Sequence, residues 1–437
     1  MIYTFIYLYL MSNCAHVLAY FAIGLIELIH LAAMGGCIYG ATRGNGGAGF
    51  YYAFGGIAVS FLIFNLLLWC YWSKLQIAIA VIDSTADFMV ATKRISFVTI
   101  FYFIWSFILL VVWGFGLIGI ISQGKIEVVQ NENGEYEKSV TPTTKSKWMT
   151  IAMFFCIVWV LSFIREKTKF IYMISAAQFY FSSNANETGS AGVVSGMMIA
   201  NFKHAGSIAL GSLLHTIIFF IRIIVDAVVN ASESKSGGSA AVKIVGCLLR
   251  CFVAWLERLI EYLNITAYAF MAISGDHYCK SAWNGFILNL KHLVKFYFAD
   301  KLASMFVFIG ILAITALNAG SCFLIMKYGL KNHDQLNSIW VPLVFIIIYT
   351  LIIAELFIGF FHQAVHATLM CLAVDLELNG QIKHGSPSFH EKIDSAFNKH
   401  GSHGVQPEIM IHTNQNANVY QQVPQPAANQ THTMNYT

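Results

Sequence analysis

Acidic residues inside long apolar stretches are the side chains best placed in this sequence to do chemistry. Glu27 and Glu355 each lie within such a stretch, and neither has a Lys or Arg one helical turn away. An ionisable group at the centre of a membrane span costs about 2.5–3.5 kcal/mol on insertion scales, so its presence there needs a reason. A carboxylate in such surroundings can act as the counter-charge of a bound cation or as a proton partner.

Two further groups of charged residues interrupt apolar stretches. Arg222 and Asp226 are one helical turn apart, so we expect them to pair with each other. Glu257, Arg258 and Glu261 lie close together in the next stretch. The sequence leaves open whether these three residues lie on a wet helix face or belong to a functional site.

Aromatic residues, which make up 15% of the chain, are a second source of chemistry. Most of them should pack in the core, face lipid or lie at the membrane interface. Tyr102, Trp105 and Trp113 follow one another at helical spacing and share a broad face of one helix. The face of a ring attracts a quaternary ammonium by about 0.5–2 kcal/mol without requiring hydrogen bonds. Together with Trp159, these rings are candidates for binding a choline-like cation.

The motifs of common enzymes are missing from the sequence. It contains no nucleophile elbow, P-loop, zinc motif or dinucleotide fingerprint. Cys247 and Cys251 are four residues apart, but no His/Cys quartet stands near them, and most of the nine cysteines lie in apolar runs. We therefore predict no catalytic residue, no metal site and no cofactor. A net charge of +4, scattered along the chain, also argues against a nucleic-acid partner.

The elements that must position these residues are membrane helices. The chain has 437 residues, of which 57% are hydrophobic and 11% charged, against roughly 25% charged in a soluble domain. This composition predicts an all-α, polytopic helix bundle in a lipid bilayer. We expect a transmembrane domain over residues 1–374 and a cytosolic, largely disordered tail over 375–437. Beside a partial N-terminal stretch, about eight full spans are predicted, near 15–41, 50–72, 95–124, 148–181, 205–229, 243–274, 302–326 and 336–361.

The stretch from Trp255 to Lys301 is partly apolar and partly basic, which is typical of a segment where a membrane meets water. It should break near Ser274 and Gly275. Irregular backbone at membrane depth is tolerated only against protein or a cavity, so we expect a hinge or gate there. Asn264 and Tyr268 are expected to belong to it.

The same stretch resembles the choline transporter-like family of multi-pass membrane proteins. The run at 360–380, FFHQAVHATLMCLAVDLELNG, and the run at 203–224 also resemble that family, over roughly residues 15–395 in all. Further matching motifs are W-L-E at 255–257, L-N at 263–264, A-Y at 267–268, A-I at 272–273 and G-S-P at 385–387. The resemblance implies a secondary transporter of choline or a related small organic cation, with both ends in the cytosol and the plasma membrane as its site. Alternating access around a mid-membrane site is the expected mechanism.

The sequence departs from the family pattern in two places. The family's first span and its glycosylated extracellular loop have no counterpart, and residues 1–14 resemble the inner half of its second span. After Trp159 the family is apolar with small amide side chains, whereas residues 165–169 here read Arg-Glu-Lys-Thr-Lys. Three cations there would repel a cationic substrate if they faced its pathway. Two alternatives stay open: a membrane-embedded enzyme acting on lipid head groups, and a channel or scaffold.

Overall fold

The computed structural model describes residues 2–42, 49–130, 136–235, 240–329 and 340–398. Within these ranges the chain is almost entirely helical. Two short π-helical turns, Ile199–Lys203 and Ile325–Gly329, extend the ends of longer helices. The α-helices are α1 (Ile2–Thr42), α2 (Gly49–Cys70), α3 (Trp72–Ala91), α4 (Ile95–Ile121), α5 (Thr144–Ser182), α6 (Val193–Met198), α7 (Ala205–Lys235), α8 (Ala240–Ser274), α9 (Tyr278–Lys291), α10 (Leu293–Leu324), α11 (Trp340–Asn379) and α12 (Pro387–Asn398).

The predicted all-α membrane fold is confirmed. Among the described residues, seven helices are long and apolar enough to cross a bilayer: α1, α2, α4, α5, α7, α10 and α11. Between α4 and α5 the polar connection forms a small antiparallel hairpin of β1 (Lys125–Gln130) and β2 (Tyr136–Thr141), in which Lys125 pairs with Thr141. The hairpin is an addition to the bundle rather than part of its core.

The predicted N-terminal stretch and the first predicted span form one helix, α1. No Gly or Pro occurs between residues 2 and 23, so nothing in the backbone interrupts the helix there. Tyr7 fixes this part of α1 to α10, because its hydroxyl donates a hydrogen bond of 2.6 Å to the carbonyl of Phe306 and its ring covers Gly310. The N-terminal stretch therefore packs as part of the bundle.

Helix α8 corresponds to the predicted span at 243–274 but is not among the seven apolar helices. Charged side chains interrupt it at Lys243, Arg250, Glu257, Arg258 and Glu261. Such a helix requires neighbouring protein or water on its polar face. Its crossing of the membrane stays a prediction.

Helix α2 contrasts with the rest of the bundle, since no residue of Gly49–Cys70 is buried. It packs along the C-terminal half of α1, where His30 lies beside the rings of Phe61 and Phe64. Helix α3 begins immediately after it and is largely buried against α1, α10 and α11.

Part of the predicted tail is helical. Helix α11 continues to Asn379, beyond the predicted boundary at residue 374. Buried Asp375 accepts hydrogen bonds from the backbone N–H groups of Lys383 and His384, at 2.9 and 3.0 Å, and so orders the turn that follows. Residues 399–437 of the predicted tail lie outside the described residues.

Helix α12, also within the predicted tail, docks on α3. Phe389 and Ile393 are buried in the common core, which explains why this part of the chain is ordered. Lys392 pairs with the buried Asp83 of α3, and Ser388 donates a hydrogen bond of 2.5 Å to Asp87.

Candidate functional site

A cavity of about 260 Å³ lies between α5, α7 and α8. Its walls combine apolar side chains with charged and polar ones, an unusual mixture inside a membrane bundle. The lining residues are Val158, Leu161, Ser162, Arg165, Glu166, Lys169, His215, Thr216, Phe219, Glu261 and Asn264.

Three charged residues of α5, namely Arg165, Glu166 and Lys169, line this cavity. Lys169 and Glu166 are both buried, one helical turn apart, and their side chains form an ion pair of 2.7 Å. Arg165 is exposed at the cavity wall, whereas Lys167 instead donates to the amide oxygen of Asn201 at 3.0 Å. Two of the three cations noted in the sequence therefore line the cavity, and one of them is neutralised by a local carboxylate.

The opposite wall supplies a second carboxylate, Glu261 of α8, together with His215 and Phe219 of α7. Formal charges on the two walls thus balance, with Arg165 and Lys169 against Glu166 and Glu261. A lining with equal numbers of positive and negative charges offers a partner to a ligand group of either charge.

The residues predicted as a gate gather around α7. The amide of Asn264 donates to the carbonyl of Gly211 at 3.0 Å, and its oxygen accepts a hydrogen bond from the Tyr278 hydroxyl. Tyr268 packs directly on Gly211, and its hydroxyl lies 3.4 Å from the carbonyl of Ile208. A side chain at Gly211 would collide with Tyr268, so glycine permits the close approach of α7 and α8. Asn264 is the one predicted gate residue that also lines the cavity.

The backbone break falls where the sequence predicted it. Helix α8 ends at Ser274, and Gly275 adopts a positive φ of 69°, which is typical of a glycine that terminates a helix. The side chain of Ser274 accepts a hydrogen bond from the backbone of Asp276, and α9 starts at Tyr278. Movement at this break stays a prediction.

The four predicted aromatic residues are not brought together. Tyr102 is buried and receives a hydrogen bond from Asn201, whereas Trp105 is 49% exposed on the outside of α4. The indole N–H of Trp113 donates to the carbonyl of Met153 at 3.0 Å, and that of Trp159 lies 3.4 Å from the carbonyl of Ala209. None of the four lines the cavity, so an aromatic cage formed by them stays a prediction.

The two isolated carboxylates are also separate from the cavity. Glu27 is partly buried on α1, and Glu355 is exposed on α11. Neither is among the residues of the cavity wall.

The expected pairing of Arg222 with Asp226 is wrong. Arg222 contacts Glu257 at 2.6 Å, and Asp226 contacts Arg250 at 3.2 Å. Both ion pairs connect α7 to α8, because packing of the two helices brings these partners closer than their neighbours along the chain.

A second polar cluster, which the sequence analysis missed, lies between α10 and α11. The Nε2 atoms of His362 and His366 are 2.8 and 2.9 Å from the same oxygen of Asp300, Oδ1. His366 is buried, and the other two residues are partly buried. The spacing of the two histidines was the available signal, since residues four apart share one helix face.

Comparison with known proteins gives matches over most of the chain. A family model described as plasma-membrane choline transporter matches residues 56–377. Choline transporter-like protein 3 of Homo sapiens is 26% identical over 302 residues, which cover 67% of this chain and 44% of that protein. Choline transporter-like protein 2 of Dictyostelium discoideum is 26% identical over 328 residues, or 74% of this chain and 50% of its own length. Choline transporter-like protein 1 of Rattus norvegicus is 22% identical over 345 residues, covering 78% and 50% of the two chains. The chain thus spans about half the length of these curated relatives.

Proposed function

Because the chain belongs to the plasma-membrane choline transporter family, we propose that it carries choline or a related organic amine across the plasma membrane by alternating access. The protein is an integral membrane protein with several spans. The observation that carries the proposal is the charged cavity between α5, α7 and α8. We assign the substrate to this cavity rather than to the dispersed aromatic residues.

The cavity offers an amine two kinds of contact. The carboxylate of Glu261 supplies the counter-charge, and the ring of Phe219 supplies a π-face that attracts an ammonium group. The Glu166 carboxylate is already paired with Lys169, so it contributes less free charge. Glu261 is therefore the residue on which binding of a cation should depend most.

Arg165 bears on which amines fit. Its guanidinium lines the cavity and would repel a substrate that is only cationic. An amine that also carries an acidic group could place that group at Arg165 and its ammonium at Glu261. A zwitterion such as betaine is therefore a second candidate substrate beside choline.

Alternating access requires that the cavity open to each side in turn. In the proposed mechanism, α8 and α9 move relative to α7 at the break around Gly275. The contacts of Asn264 with Gly211 and Tyr278 would hold α8 and α9 against α7 on one side of the cavity.

The test is uptake of labelled choline into liposomes that contain the full chain, with unlabelled choline and betaine as competitors. Glu261→Gln should reduce uptake roughly tenfold or more, because it removes the attraction between a carboxylate and an ammonium, about 4 kcal/mol for charges about 4 Å apart at an effective dielectric constant of about 20. Glu187→Gln, a change in the exposed link before α6, is the matched control and should leave uptake unchanged. Equal uptake by empty and protein-containing liposomes, for choline and betaine alike, would reject the proposal.

The same preparation distinguishes the two alternatives. A lipid head-group enzyme would release or exchange head groups in the liposomes without accumulating solute. A channel would pass substrate without saturation and would give single-channel current. Saturable accumulation, sensitive to Glu261→Gln, is expected only of the proposed transporter.

A further inference from the structure

We propose that Asp300, His362 and His366 form a binding site for a divalent transition-metal ion that joins α10 to α11. The site is separate from the cavity, since none of these residues belongs to the cavity wall. It does not depend on the proposed transport activity.

The helices place the three side chains together. His362 and His366 are four residues apart on α11, so their rings project from the same face. Helix α10 packs along this face and presents Asp300 to both rings. Two imidazoles and one carboxylate on facing helices are a donor set found in metal sites of helix bundles and of zinc enzymes.

The distances fit an ion after a small adjustment. The three ligand atoms all lie within 4.8 Å of one another, with 2.8 and 2.9 Å between Oδ1 and the two ring nitrogens. Tetrahedral zinc, with bonds of about 2.0–2.2 Å, holds its ligand atoms roughly 3.3–3.6 Å apart. A rotation of the Asp300 side chain that moves Oδ1 by less than about one ångström would bring the separations between Oδ1 and the two Nε2 atoms into this range.

Ligation also sets the tautomer of the rings. In the hydrogen-bonded arrangement each Nε2–H donates to the carboxylate. To bind a metal, Nε2 must offer its lone pair, so each ring carries its proton on Nδ1 instead.

The surroundings leave room for further ligands. Asp300 is partly exposed, so water can reach the cluster and complete the coordination. Lys301 lies with its ammonium 3.6 Å from the second oxygen of Asp300, and its side chain is 60% exposed. This cation competes with a metal for the same carboxylate, but its flexible side chain can move into solvent.

The chemistry of the ligands narrows the choice of ion. Imidazole nitrogens favour zinc, copper, iron and nickel over calcium and magnesium, which prefer oxygen. Two nitrogens and one oxygen with open positions suit Zn²⁺, and Co²⁺ is a spectroscopic substitute with the same ligand preference.

The test uses the full chain without a histidine tag, purified in detergent and treated with chelator. Zn²⁺ is titrated calorimetrically, and Co²⁺ is followed by its visible absorption. Wild type should bind one more equivalent of metal than the double variant His362→Ala/His366→Ala. If the double variant still binds that equivalent, its affinity should be at least 100-fold lower than that of wild type. His30→Ala, on α1, is the matched control and should keep that equivalent; the tail histidines contribute the same background to every variant.

Two further variants distinguish the loss of a metal ligand from misfolding. Asp300→Asn keeps the shape of the side chain and should weaken the same equivalent, with helicity and elution volume unchanged. Lys301→Met should tighten binding, because it removes the competing cation. Identical stoichiometry and affinity in wild type and in both the double variant and Asp300→Asn would overturn the proposal and leave a hydrogen-bonded His–Asp–His cluster without a metal.

Discussion

Two buried ion pairs, one at the cavity and one where α12 docks, differ in what they connect. Glu166 and Lys169 lie one turn apart on α5, and both are buried. Asp83 and Lys392 are separated by 309 residues and join α3 to α12; Asp83 is 1% exposed and the Lys392 side chain 25%. The first pair therefore adds little to the association of helices, whereas the second fastens one element to another.

The difference indicates two reasons for keeping charge in an apolar interior. Burying an ion pair costs several kcal/mol per ion in desolvation, and a well-packed apolar substitute is often equally stable. A local pair beside a cavity is thus consistent with the proposed binding of a solute there. A long-range pair is explained by the correct placement of the helix that it attaches.

The pKa of Asp83 reflects the burial of the long-range ion pair. Burial raises the pKa of Asp83 to about 6, and the hydrogen bond and charge of Lys392 offset part of that rise. Helix α3 is not one of the seven apolar helices, so this carboxyl lies outside the spans that they form. Since the pKa exceeds that of an unfolded aspartate, the folded state gains protons, and stability, as the pH falls through 6.

The largest effect is expected from Lys169→Met. The change leaves Glu166 buried and unpaired, which should lower the free energy of unfolding by about 3–5 kcal/mol. The double variant Glu166→Gln/Lys169→Met should recover most of this loss, because neither charge remains. Thermal unfolding in detergent measures both. If the double variant were as unstable as the single one, the pair would be structural, and the comparison with α12 would fail.

A smaller effect is expected from Lys392→Met at pH 7.5. Asp83 then lacks its partner, but its pKa is already raised to about 6, so it can take up a proton rather than stay charged, and we expect a loss of about 1–3 kcal/mol. The loss should shrink as the pH falls below 6, because Asp83 becomes protonated and no longer requires a counter-charge. Unfolding midpoints at pH 7.5 and 5 test this sign. A penalty that grew on acidification would contradict the assignment.

Ser388→Ala should have a smaller effect again. It removes the hydrogen bond to Asp87, a residue with further contacts, and should cost about 1 kcal/mol. Limited proteolysis of the α12 region, compared with wild type at equal temperature, reports the loosening. Ser190→Ala, in the exposed link before α6, is the control. Equal cleavage of wild type and Ser388→Ala would show that docking of α12 does not depend on the Ser388–Asp87 hydrogen bond.

The smallest effect separates two views of substrate binding. Phe219→Ala, at the cavity wall, should reduce choline uptake by a factor of about 2–5, since one cation–π contact contributes about 0.5–1 kcal/mol. Trp105→Ala should leave uptake unchanged, because this side chain lies on the outside of α4. The opposite order of effects would favour the aromatic cage predicted from the sequence.

How much the sequence could predict depended on the range of the interactions. Long apolar runs indicated the membrane bundle, and Gly275 marked the end of α8, because both signals are local. The cavity depended on the packing of α5, α7 and α8, which brings Arg165 and Glu261 to one place. Similarly, Asp300 meets His366 only because α10 and α11 are adjacent, so the two histidines alone gave an incomplete signal.

The predicted tail also shows that local sequence signals miss tertiary contacts. A polar composition rich in Gln, Asn and His predicted disorder from residue 375. Phe389 and Ile393 are too few to indicate a helix by periodicity, yet both are buried against α3 and order α12. Tertiary contacts that the composition does not reveal thus decide the structure of residues 387–398.

The position of α2 at the edge of the described bundle has a consequence for the membrane itself. Among the described residues, α2 packs mainly on α1, and no residue of Gly49–Cys70 is buried. Its tilt is then governed by the match between its apolar length and the thickness of the hydrocarbon layer. Bilayers of thinner or thicker lipids should therefore reorient this single helix, while the helices around the cavity keep the arrangement that their own packing imposes.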